Sequence, residues 1–259
     1  MKTPKDWSEI TIDKFNELEE LKKVSFDSIF DFQISRLAIL TDKDEEEIEE
    51  EIEDVEQLTQ LTQKTRWIEK GVIPRKTAED FEGFKFKGFK DLRLGEFIDL
   101  ERTFAKDFRE NAAKILAILY RKTKAGEWGE LVIEPYRAVN VAERTEIFKS
   151  APVDLAERVI RDYLEFRENF IKKRKPLFEG EDEDEEDEMD NEESEELENL
   201  TIEEAKKEKQ KEALKKWSWE VFIYRLCNKD LTKFEEVTDL KLTLVFNFET
   251  MLNEVKLEE

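Results

Sequence analysis

Between Glu179 and Glu198 the chain reads EGEDEDEEDEMDNEESEELE, fifteen acids without a base. Like charges at this density repel one another and keep a segment extended and solvated, so it cannot enter a hydrophobic core. The chain must therefore fold on either side of it. The sequence predicts a helical domain over 1–176 with a subdivision near 75–90, an acidic flexible linker over 177–200, and a C-terminal helical segment over 201–259. The stretch holds fifteen of the 23 net negative charges, which leaves −8 for everything else. Hydrophobic residues are only 39% of the chain, but 19 Phe and 5 Trp supply bulky core material. Seven Gly and five Pro are too few for a turn-rich all-β protein. The predicted class is mainly α: a multi-helix domain with a small two-stranded β element, the linker, and a C-terminal helical pair.

Helix signals recur along the chain. Thr11 caps a first helix, with Ile10 and Phe15 placed for a hydrophobic staple. A second helix covers about 26–40. Asp42 with Glu45 reads as a capping box for a third, whose Ile48, Ile52, Val55, Leu58 and Leu61 form a narrow apolar stripe. Phe84 and Phe86 alternate with Lys85 and Lys87, a period of two that predicts a short strand, and Leu131, Val132 and Ile133 are its expected partner. One long helix is expected over 97–124 and another from Ser150, with Pro152 in its first turn. Lys172–Lys175 end that helix, where cations suit the negative helix terminus. Thr201 with Glu204 opens a helix expected to reach Leu226, and a last one is expected from Thr238. Leu37–Leu40 recurs as Leu116–Leu119, and 6–18 and 91–104 share an Asp-then-aromatic pattern, which makes internal duplication one reading of the chain.

The residues limit the chemistry. With no His, triads and His-ligated zinc drop out, and no phosphate-cradling glycine motif is present. Nothing selects a catalytic pair from 67 acids, so no catalytic, cofactor or metal residues are assigned, no cofactor is expected, and the chain reads as a non-enzyme. Asp42, Asp44 and Glu46 resemble a calcium loop that lacks its glycine, and capping explains them better. Cys227 is the only cysteine, which fits a reducing compartment, and its apolar helix face marks it as a small buried hydrophobe. Net acidity disfavours direct binding to nucleic acid or anionic lipid. No apolar run approaches the ~20 residues of a membrane span, and the first ten residues do not look like a secretory signal. Trp217 and Trp219 sit two apart and cannot face one core from one helix, so Trp217, Trp219, Phe222 and Leu226 are the candidate partner-binding residues.

Residues 6–21 read DWSEITIDKFNELEEL and 32–62 read FQISRLAILTDKDEEEIEEEIEDVEQLTQLT. Tryptophan, an Ile-Thr cap, a helix and then an acidic amphipathic helix resemble the tail assembly chaperones of tailed bacteriophages. The segment WSWEVFIYRLCNKDLTKFEEVTDLKLTLVFNFETM resembles the companion segment of such proteins. LGEFIDLERTF, ILAILYR and EPYRAVNVAERTEIF are similar to virion-associated proteins of tailed phages, including the crAss-like group. The resemblance implies a non-enzymatic assembly factor whose partners are other phage structural proteins. It also implies self-association in a ring or assembly, and a location in the host cytoplasm during assembly or in the virion. Typical tail chaperones lack a long central domain and so strong an acidic tract, which leaves a structural or packaged component of the particle (tail, neck or cargo) as an alternative. A second alternative, drawn from the tract, is an acidic module that shields a basic partner.

Overall fold

The computed structural model describes residues 1–107, 109–126, 131–174, 177 and 217–255. The acidic stretch and the expected helix start at Thr201 lie outside the described residues. The protein is mainly helical, with a small antiparallel sheet. It divides into two units, residues 1–90 with 99–167, and residues 91–98 with 168–259. Residues 91–98 fall inside the 1–176 segment that the sequence assigns to the first domain. They group with the C-terminal segment because Leu92, Leu94, Phe97 and Ile98 are buried, and Phe97 packs on C-terminal rings.

In the first unit, α1 (Ile12–Leu21) starts where the sequence places it, with the Thr11 hydroxyl accepting from the Lys14 N–H at 3.2 Å. Trp7, Ile10, Leu18, Leu40, Ile68 and Val153 form one core cluster, with Phe15 and Trp67 packed against it. Ser28 caps α2 (Ile29–Thr41). Asp42 ends that helix in the left-handed region, φ 55°, rather than opening the next one. The capping box is instead Asp44 with Glu47, at the start of α3 (Glu45–Glu51). The single rod expected through Leu61 is two helices. Asp54 accepts from the Gln57 N–H at 2.8 Å while the Gln57 side chain accepts from the Glu53 N–H at 2.7 Å. These local bonds start α4 (Val55–Thr65) and give the chain an alternative to continued helix. The break lets Ile48 from α3 and Leu58 and Leu61 from α4 meet Ile34 and Leu37 in a second cluster.

The expected helix over 97–124 is also interrupted. It becomes α5 (Leu94–Phe104), α6 (Ala112–Leu119) and a strand. The sheet has three strands, in the order β1 (Phe84–Phe86), β2 (Tyr120–Ala125), β3 (Leu131–Ile133), so β1 pairs with β2 and not with 131–133. Aromatic packing accounts for the switch. Phe86 lies opposite Tyr120 with ring centroids 5.5 Å apart, and Phe84 and Tyr120 both contact Phe148, at 5.2 and 5.3 Å. Such cross-strand pairs are the stabilising unit of a sheet. After β3 come α7 (Val141–Phe148) and α8 (Val153–Lys172). Arg167 on α8 makes a forked pair with Glu101 at 2.8–2.9 Å, and the Tyr163 hydroxyl donates to the same carboxylate at 2.8 Å.

The second unit contains α9 (Ser218–Leu226), α10 (Phe234–Thr238) and α11 (Leu242–Val255). The last helix thus begins at Leu242, and Thr238 is the end of a separate short helix. Phe97 packs against Phe170, Trp219 and Phe246 at 5.6, 5.7 and 6.2 Å, an aromatic cluster in a core that also buries Leu92, Leu94, Ile223 and Val245.

One backbone device occurs in each unit. Residues Ile10-Thr11-Ile12 lie antiparallel to Ala151-Pro152-Val153: the Ile12 N–H donates to the Ala151 carbonyl at 2.9 Å and the Val153 N–H to the Ile10 carbonyl at 2.8 Å. In the second unit the Leu94 N–H donates to the Leu240 carbonyl and the Leu242 N–H to the Leu92 carbonyl, both at 2.9 Å. Each bridge ties together the first turns of two helices, using N–H groups that have no partner inside the helix. In both units the second of those helices follows a 3-10 turn (Ala138–Asn140 or Leu231–Lys233) and a short helix. The sequences agree with this: Ile10, Ile12, Phe15 and Leu18 match Leu92, Leu94, Phe97 and Leu100 in spacing.

Candidate interaction surface

Helix α9 is apolar on two sides. Trp219, Phe222, Ile223 and Leu226, at three- and four-residue steps, form its inner face. Trp219 meets Phe97 and Phe222, Phe222 meets Phe246 at 5.6 Å, and Ile223 is buried. Trp217, Val221 and Tyr224, also at helical steps, are exposed on the other side. The two tryptophans thus part as their spacing requires. Trp217 is half exposed, while Trp219, Phe222 and Leu226 are partly buried on the inner side. Of the four residues picked from sequence, only Trp217 belongs to the outward face. Val221 and Tyr224 join it and were missed; their i+4 and i+7 spacing from Trp217 was the available signal.

Helix α11 repeats the pattern more strongly. Leu242, Val245 and Phe246 are buried, and Glu249 pairs with Arg225 of α9. Leu244, Phe248, Met251, Leu252 and Val255 are all exposed. A helix that is apolar all round is normally enclosed. Burying a Leu, Val or Phe side chain is worth roughly 1.5–3 kcal/mol, so a row of them on one outer face forgoes a large stabilisation. Contiguous apolar surface of this kind marks a place where something else packs.

Other groups named from sequence sit in structural roles. Cys227 is fully buried, and burial pushes its thiol above the usual range, away from the nucleophilic thiolate. It precedes a tight turn in which Asn228 and Lys229 both have positive φ. Asp42 is ion-paired with Lys14 at 2.6 Å. Arg121 is fully buried, donates to the Ala117 and Tyr120 carbonyls, and lies 4.8 Å from the Tyr136 ring centroid; nothing in the sequence pattern marked it as a core residue.

The first unit also holds a cleft of about 340 Å³, lined by Trp7, Phe15, Ile68 and Ile160 with charged groups of both signs. Its carboxylates are held by cations: Glu19 by Lys22 at 2.5 Å, Glu69 by Arg36 at 3.2 Å and Glu157 by Arg161 at 2.8 Å. Among the described residues no helix is long and apolar enough to cross a membrane. No family model, no curated protein and no solved structure matches this chain.

Proposed function

We propose that the chain is a non-enzymatic bacteriophage virion assembly protein, a tail-assembly-chaperone-like adaptor that binds other phage structural proteins. The observation that carries this reading is the pair of outward apolar helix faces in the second unit, Trp217, Val221 and Tyr224 on α9 and the Leu244–Val255 stripe on α11. The resemblance of residues 6–62 and 217–251 to tail assembly chaperones supplies the phage context. A transient adaptor must hold apolar surface ready for a partner, and strong net charge keeps such a protein soluble meanwhile. It works in the host cytoplasm.

Mass spectrometry of infected-cell lysate fractions and of purified particles tests the reading. The adaptor is expected in complexes with structural proteins during assembly and absent from finished particles. Stoichiometric presence in the particle would replace the transient role with that of a retained component. The acidic-module reading rests on residues 179–198, and deleting them is the discriminating variant. For an adaptor working through α9 and α11, partner binding survives the deletion with a smaller salt dependence. For a charge shield it disappears.

A further inference from the structure

The repeated bridge allows α8 and α11 to be compared residue for residue, starting from the bridge residues Pro152 and Lys241. Leu155, Val159, Tyr163 and Phe166 of α8 then correspond to Leu244, Phe248, Leu252 and Val255 of α11. The two rows have the same four-, four- and three-residue steps. In the first unit the row is covered: Leu155, Val159 and Tyr163 are at most 1% exposed. In the second, Leu244, Phe248, Leu252 and Val255 are between 41% and 58% exposed. What covers the first row is partly visible. Phe104, at the end of α5, stacks on Tyr163 at 4.8 Å, and Phe89 stacks on Phe166 at 5.2 Å.

We infer that the outer row of α11 is a seat for an amphipathic, aromatic-bearing helix of a basic partner protein. This inference rests on the adaptor reading and names the occupant of its surface. The cover in the first unit comes from aromatic side chains, one of them on a helix, and a helix laid along a matching row is a standard mode of recognition. Charge selects the partner. Helix α11 contains two acids and no base across its 14 residues, Glu249 paired with Arg225 of α9 and Glu254 exposed near the outer row. The run of fifteen acids ends 20 residues before Ser218 in the sequence. A second copy of this chain would carry the same net charge of −23 and be repelled, whereas cationic flanks on a partner helix are attracted by a chain of that charge. The apolar row makes the partner a protein, since phosphates would be repelled by this charge.

The test uses the full chain and three fluorescently labelled synthetic helices. One has Leu and Phe at i, i+4, i+8 and i+11 with Lys flanks, one has the same row with Glu flanks, and one is the Lys-flanked peptide with its row scrambled. Anisotropy titrations are expected to show the Lys-flanked helix binding at least tenfold more tightly than either control. Phe248→Asp is expected to weaken it at least tenfold, and Leu164→Asp on α8 to leave it unchanged. Circular dichroism confirms that each variant is folded, and Leu252→Asp provides a second reading if Phe248→Asp is not. Equal binding of the Lys-flanked and scrambled helices overturns the proposal, as does binding that Phe248→Asp does not change. A dimer in light scattering that Phe248→Asp converts to monomer also overturns it, by making a second copy the occupant. The particle and lysate proteomics can succeed while this titration fails, so the two readings fail separately.

Discussion

Single residues show how polar groups are managed in a core this rich in rings. Glu101 accepts from both Arg167 and Tyr163, and burial, followed by the charge of that carboxylate, drives the Tyr163 phenol above its ordinary range. Glu101→Ala strips two donors of their acceptor. It is expected to cost about 2 kcal/mol in urea denaturation; Arg167 is partly exposed and regains water, which keeps the loss below that of a fully buried pair. The Lys124 hydrogen bond and then the Arg144 charge hold Glu134 below the usual carboxylate range. A depressed folded-state pKa contributes stability that is present above the unfolded value, about 4.3, and is lost as pH falls through the folded value. Glu134→Gln should therefore lower stability by a constant amount across neutral and alkaline pH and flatten the acid limb of a stability–pH curve, the two proteins converging below the folded value. Cys227 has the opposite sign: its raised thiol pKa favours the fold below the unfolded value, about 8.5, and that contribution fades as pH rises through the folded one. Native protein at pH 8 should react with a thiol reagent far more slowly than urea-unfolded protein, and equal rates would place the thiol at the surface.

At the scale of elements, existence was easier to read than extent. The Thr11 start, the second helix and the helix after Pro152 follow from local caps and apolar periodicity, which act within a few residues and so are visible in sequence. The split of 42–61 comes from a local cap at Asp54 that a continuous apolar stripe hides, whereas the strand at Tyr120–Ala125 depends on partners far along the chain, Phe84, Phe86 and Phe148. Local propensity cannot see those contacts, and Lys122 and Lys124 sit as well in a helix as in a strand. Asp42 and Asp54 give a direct comparison. Asp54→Ala should cost about 1 kcal/mol by removing an N-cap, whereas Asp42→Gly, at a left-handed position, should leave stability within about 0.5 kcal/mol or raise it. The two faces of α11 make a second comparison by thermal melting. Phe246→Ala should cost about 3–5 kcal/mol as a core truncation, and Phe248→Asp less than about 0.5 kcal/mol because its side chain already faces solvent.

For the whole molecule, the candidate surface was half legible. The two-residue offset of Trp217 and Trp219 announced that one would face outward, but which one depended on where Phe97 and Phe246 lie, and neither is near α9 in sequence. The stripe on α11 was present in the sequence as an ordinary apolar side. Its significance appeared only when Leu242, Val245 and Phe246 proved sufficient to fill the inner face, leaving Leu244, Phe248, Leu252 and Val255 outside. The matching bridges at Thr11–Pro152 and Arg93–Lys241 likewise give the sequence echo around 6–18 and 91–104 a structural counterpart, with a register that follows the Ile/Leu-x-Ile/Leu helix starts. The outward face of α11 is the surface proposed to hold partners. The most direct measurement puts a photo-crosslinking amino acid in place of Phe248 during infection, with the same residue in place of exposed Val139 as control. Crosslinks to phage structural proteins are expected from position 248 and not from position 139; equal crosslinking from both positions, or none from 248, would rule out α11 as the docking face.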